Sequence, residues 1–180
     1  KKLSTLKINF SDRTESLNLD ISKSEYKIER IDGLPSKMVT PGPELYERIK
    51  NDRLLIGKAL GKKYKSKILP RNFVCPAEGI ISGIFGSQRI LNGLKKNPHK
   101  GLDIAAPVGT PIKSIASGKV LMAEKDLYYT GNIVIIGHGY KLKSMYIHME
   151  DINVSKGDFV KQGQTIGTIG MTGRVTGPHL

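Results

Sequence analysis

The chain has 180 residues, 38% of them hydrophobic, with 29 Lys and Arg against 16 Asp and Glu, a formal net charge of +13. That length suits one large or two compact domains, the composition is ordinary for a globular protein, and collagen, coiled coil and wholesale disorder are excluded. The charge points to an anionic partner, and nucleic acid, anionic lipid and a carboxylate-rich cell-wall polymer all fit it.

The excess is not a detachable tail, because residues 1–72 carry +8 and residues 73–180 carry +5. No run of apolar residues approaches the ~18 needed for a membrane helix. Cys75 is the single cysteine, which excludes an intrachain disulfide and a cysteine-based zinc cluster and reads as a small buried apolar residue. The chain opens on Lys1-Lys2 with no signal segment and closes on Pro178-His179-Leu180, as expected of a piece of a longer precursor.

Along the first forty residues apolar positions alternate at period two: Leu6, Ile8 and Phe10, then Leu17, Leu19 and Ile21, then Tyr26 and Ile28. That pattern predicts a small antiparallel sheet. Beyond Thr40-Pro41-Gly42-Pro43 the spacing changes to Leu45, Ile49, Ile56 and Leu60, with Glu44 and Glu47 early and Lys62 and Lys63 late. One amphipathic helix over 43–61 is predicted, its end charges matched to its dipole. The charged run 61–67 reads as a connector, which places a boundary near 66–74 and divides the chain into an accessory α+β region, 1–72, and a second domain, 73–180.

The second domain reads as all-β. Short apolar runs at 80–85, 112–115, 120–122, 133–136, 145–147, 159–160 and 166–169 are separated by Gly-rich turns. Glycine is dense there because tight turns and bulges require positive φ.

All four histidines lie in this half. His99 and Asp103 stand four apart around a glycine, and an imidazole and a carboxylate can ligate zinc together. On spacing alone, a loop hydrogen bond is the commoner meaning of such a pair. What raises the metal reading is the company of His148, in Tyr146-Ile147-His148, and of His179, just after the Gly-rich run 173–177. A catalytic zinc takes three protein ligands and an open position. His138, in Gly137-His138-Gly139, reads as a structural histidine. Arg89 is a candidate for a substrate carboxylate, and Tyr146 for either substrate contact or the core.

Several ordered blocks then carry a resemblance: 79–86, the His99/Asp103 pair, Ala106-Pro107-Val108-Gly109-Thr110-Pro111, Ala116-Ser117-Gly118, Gly131-Asn132-Ile133, the Tyr146/His148 pair, 157–167 and Gly177-Pro178-His179-Leu180. Over residues 73–180 the sequence resembles the lysostaphin and LytM type of zinc endopeptidase. The resemblance implies a mainly β fold with an antiparallel sheet, one zinc per domain, and cleavage of peptide cross-links in peptidoglycan. It makes His99 and Asp103 zinc ligands and His148 and His179 the unliganded histidines that move protons and stabilise charge. The third ligand would be the second histidine of an HxH, expected just after Leu180.

The same resemblance implies peptidoglycan peptides and an anionic cell-wall polymer as partners, an extracytoplasmic, periplasmic location, and room for an inner-membrane tether upstream of Lys1. Residues 1–72 resemble the accessory region of longer Gram-negative members. The rival reading is a catalytically impaired LytM-like module that binds cell wall or activates a separate amidase. A specific nucleic-acid module has only the charge in its favour, with no zinc-finger, RRM or homeodomain signature.

Overall fold

The computed structural model describes residues 2–64 and 70–180. The elements are β1 (Lys2–Asn9), β2 (Thr14–Ile21), β3 (Ile28–Ile31), α1 (Ser36–Val39), a 3-10 turn (Pro43–Leu45), α2 (Tyr46–Gly61), β4 (Ile80–Gly83), β5 (Gln88–Leu91), β6 (Leu94–Lys95), β7 (Asp103–Ala105), β8 (Pro111–Lys113), β9 (Gly118–Leu127), β10 (Gly131–Gly139), β11 (Leu142–Ile152), β12 (Phe159–Val160) and β13 (Thr165–Ile169). The expected connector runs into residues 65–69, which lie outside the described residues, as does part of the expected boundary.

The centre is a curled antiparallel sheet of order β12-β9-β10-β11-β13-β8. Its inner face packs Ile112, Val120, Val134, Ile136, Tyr146, Met149, Val160, Ile166 and Ile169 into one core. The outer face carries Leu121, Met122, Leu127, Ile133 and Ile135, which Ala59 and Ile56 of α2 cover. This explains why the run 133–136 is apolar at every position and fully buried: a strand covered on both faces has no polar side to alternate with. The 43–61 helix is present as the 3-10 turn followed by α2, with Pro43 at its start. Its packed stripe differs from the expected one, because Ile49 and Ala59 are buried while Leu60 is exposed.

The first forty residues form less of an antiparallel sheet than their alternation predicts. Only β1 and β2 pair that way, with Leu6 opposite Leu17 and Ser4 opposite Leu19. Strand β3 leaves them and runs parallel to β5, Glu29 opposite Arg89 and Ile31 opposite Leu91. Burial draws it there: Ile31 packs on Leu34, Val39 and Leu91. Further bonds tie the accessory residues to the β domain, with Tyr128 N donating to Asp52 Oδ2 at 2.7 Å and Tyr128 Oη to the Lys37 carbonyl at 2.6 Å. Cys75 is exposed, not buried, with Sγ 3.2 Å from the Ala77 carbonyl oxygen.

Candidate metal centre

Asp103 opens β7, which is held between β4 on one side and the last two residues on the other. Ile104 exchanges both backbone hydrogen bonds with Leu180, at 2.8 and 2.9 Å, and Ala105 bridges His179. The C-terminal turn is thereby brought beside the carboxylate. Opposite Asp103 in β4 sits Gly83, where a Cβ would stand 2.5 Å from Asp103 Oδ2. The position must lack a side chain for the carboxylate to lie where it does.

His99 reaches the same point from the loop after β6. Its Nε2 is 3.0 Å from Asp103 Oδ1, and its Nδ1 is 3.1 Å from the Ile84 carbonyl. A carbonyl only accepts, so Nδ1 carries the proton, and the Nε2 lone pair then faces a carboxylate oxygen. Two acceptors at that distance require a proton or a cation between them. Tetrahedral zinc bonds of ~2.0–2.2 Å set neighbouring ligand atoms about 3.4 Å apart, close to the observed spacing, and both donor types are ones zinc takes. The pair fits two positions of a zinc site. Among the described residues, no cluster of three or more His, Cys, Asp or Glu has the geometry to hold a metal.

The second pair stands alongside. His148 Nδ1 lies 2.8 Å from the Thr172 carbonyl and His179 Nδ1 2.8 Å from the Gly177 carbonyl, with the two rings 4.8 Å apart. By the same reasoning each carries a proton on Nδ1 and turns Nε2 away from its carbonyl. His148 is buried, and burial pushes its pKa down to about 4, against the bond to the Thr172 carbonyl, while His179 pushes in the same direction as burial. Its backbone is left-handed, with φ +65°, at a register shift in the pairing of β10 with β11. The bulge breaks the alternation: Tyr146 and Met149, three apart, both enter the core, and His148 is turned out between them.

A cleft of about 310 Å³ is lined by one member of each pair, Asp103 and His179, with Ser82, Val175 and Thr176, Arg89 and the accessory residues Glu29, Arg30, Ile31 and Leu34. The structure thus brings together His99, Asp103, His148, His179 and Arg89. Arg89, expected to meet a substrate carboxylate, is instead engaged within the protein: Nη2 bonds Asp103 Oδ2 and Nε lies 3.5 Å from Glu29 Oε2. Tyr146 stands apart from the cleft. It is buried in the core, where its hydroxyl accepts from Ile115 N at 2.8 Å and meets Ser144 Oγ at 3.1 Å, with Ser144 Oγ 2.7 Å from His138 Nε2. His138 is buried in that network, in keeping with its structural reading.

Sequence reasoning missed Glu29, Gly83 and the carbonyls of Ile84 and Thr172. Gly83 had a signal, a glycine inside an apolar strand run, which often marks a close approach. Glu29 had none, since its partner lies sixty residues away.

An imidazole–carboxylate pair beside two further imidazoles, on the rim of a curled β-sheet, is suited to metal-assisted hydrolysis. Residues 97–180 match the model of Peptidase family M23. It is 47% identical over 83 residues to peptidoglycan DD-endopeptidase ShyB of Vibrio cholerae, covering 46% of this chain and 19% of that protein. The solved structure of a Pseudomonas aeruginosa protein assigned to peptidase M23 aligns over 99% of this chain and 67% of its own, with TM-score 0.73 and 28% identity. A zinc-containing peptidase from Vibrio cholerae aligns over 61% of this chain and 35% of its own, with TM-score 0.56 and 38% identity. The chain spans about a fifth of the length of the curated relatives it matches.

Proposed function

We propose that the protein is a zinc-dependent endopeptidase that hydrolyses peptide cross-links of bacterial peptidoglycan outside the cytoplasm, in the periplasm, with residues 73–180 as the peptidase unit. The observation that carries this reading is one cleft to which the His99–Asp103 pair contributes Asp103 and the His148–His179 pair contributes His179. The kinship with a peptidoglycan DD-endopeptidase supports the substrate, and the zinc-containing structural neighbour supports the metal.

His99 Nε2 and Asp103 Oδ1 would hold the zinc, one per chain, with a third protein ligand. Bound there, the ion supplies Lewis acidity that polarises a carbonyl and acidifies water. The chain's own residues do the rest. His148, neutral at pH 7, presents Nε2 to take the proton released as water attacks the scissile carbonyl. The resulting imidazolium is a strong acid and passes that proton to the departing amine. His179, which takes up a proton from solvent at Nε2, would donate as the imidazolium to the oxygen that gains charge. Stem-peptide carboxylates suit a protein of net charge +13.

The test is muropeptide release from purified peptidoglycan, followed by chromatography with and without a chelator. Release that stops with the chelator and returns with zinc is expected. Amidase activation in place of peptide cleavage would overturn the reading in favour of a regulator.

A further inference from the structure

Arg89 is shared between two carboxylates of different origin. Its Nη2 bonds Asp103 Oδ2, which leaves Oδ1 turned toward His99 Nε2, and its Nε lies 3.5 Å from Glu29 Oε2 on β3. Glu29 and Arg89 are directly opposite in the β3–β5 ladder, so the pairing of the strands itself sets their approach. All three side chains are about four-fifths buried, which removes most solvent screening from the chain of charges.

Burial acts to raise the Glu29 carboxyl pKa, but the neighbouring Ser87 hydroxyl, the Ile84 amide and the charge of Arg89 outweigh it and hold the group below its usual value. The carboxylate on the accessory strand therefore stands ionised against the guanidinium that orients Asp103.

We infer that Glu29 is a positioning residue for the metal centre: the accessory strand supplies the outer carboxylate that neutralises and holds Arg89, the guanidinium that turns Asp103 Oδ1 toward the ion. Without that charge, the uncompensated guanidinium repels a divalent cation and is free to pull Asp103 away. Groups that orient metal ligands from behind typically change affinity by about 10–100-fold when removed. The inference rests on His99 and Asp103 being the zinc ligands.

The experiment measures zinc affinity of the full-length protein by competition with a chromogenic chelator. Glu29→Gln, which keeps the shape and removes the charge, is expected to weaken zinc about tenfold or more, with an unchanged circular dichroism spectrum. Arg89→Ala is expected to weaken it too, and the double variant by less than the product of the two effects, because they act through one chain of contacts. Ile31→Ala, which loosens β3 without touching the charge, should lower the melting temperature and leave zinc affinity within twofold. Should Glu29→Gln not fold, Arg89→Lys, which keeps the charge but not the fork, is expected to show the same loss.

Wild-type affinity in Glu29→Gln, equal weakening in Ile31→Ala, or multiplicative effects in the double variant would each overturn the positioning role. His99→Ala that binds zinc as well as wild type would instead overturn the ligand assignment beneath it.

Discussion

The rings of His148 and His179 lie 4.8 Å apart, tilted by 54°, and each is pinned through Nδ1 to a backbone carbonyl, that of Thr172 for the first and Gly177 for the second. Pinning keeps the proton on Nδ1 in each ring, and in His148, whose burial holds it neutral, it leaves Nε2 as a proton acceptor. Neither ring is bonded to Asp103 or His99 as those two are to each other. That separation divides metal holding from proton handling, and it can be tested residue by residue.

His99→Ala or Asp103→Ala is expected to abolish zinc binding. His148→Ala should leave zinc content intact and lower muropeptide release by about 100-fold, the usual cost of losing a general acid or base. Elemental analysis after dialysis reads the first effect and chromatography the second. Loss of zinc in His148→Ala would make that residue a ligand.

The depressed pKa of His148 has a consequence for stability with a definite sign. The folded state resists protonation down to about pH 4, whereas the unfolded chain takes up the proton near 6.5. Between those values the unfolded state binds more protons, so stability is complete above about pH 6.5 and falls as the pH drops toward 4. The full loss is on the order of 3 kcal/mol by the ~1.4 kcal/mol that each pH unit represents. His138, also buried with its pKa lowered by desolvation against the Ser117 bond, adds in the same direction. Urea unfolding of zinc-free protein from pH 7 to 4 measures this slope, and His148→Gln should flatten it.

Tyr146→Phe separates core from cleft. The hydroxyl accepts from Ile115 N and meets Ser144 Oγ, which reaches His138 Nε2. Removing it leaves a backbone N–H without its partner, at a cost of about 1–3 kcal/mol. Zinc affinity and KM for peptidoglycan fragments should not change. A raised KM at unchanged stability would put Tyr146 on the substrate after all.

Gly83→Ala should act on the metal more than on the fold. The new Cβ would meet Asp103 Oδ2 at 2.5 Å, and the carboxylate must move to admit it. Zinc affinity is expected to fall at least tenfold, as for other losses of ligand orientation, and chelator competition checks it. Unchanged affinity would mean that Asp103 binds from another rotamer.

Much of the β domain was legible because a short apolar run bounded by glycines has few other meanings. The runs at 112–115, 133–136 and 166–169 all became strands or their immediate ends, and 133–136 showed its double burial by its lack of alternation. The histidines could be singled out for the same reason, since each sat in a turn or strand of recognisable type. Orientation was another matter. Tyr146 and His148 share a face if β11 is regular, and only the left-handed residue at the bulge sends one into the core and the other against His179.

What the sequence by itself determined, then, is the strands of the central sheet, though not β5, β6 or β7, the helix over 43–61 and the residue types able to bind a metal and move a proton, because these follow from periodicity and side-chain chemistry within a few neighbouring positions. What only the tertiary structure decided is who meets whom. The alternation of Tyr26 and Ile28 records a strand but not its partner, and nothing local places Glu29 opposite Arg89 or Arg89 on Asp103. Those contacts join residues far apart in the chain. They arise because Ile31, Leu34, Val39 and Leu91 must bury one another, and the charges are carried along by that packing.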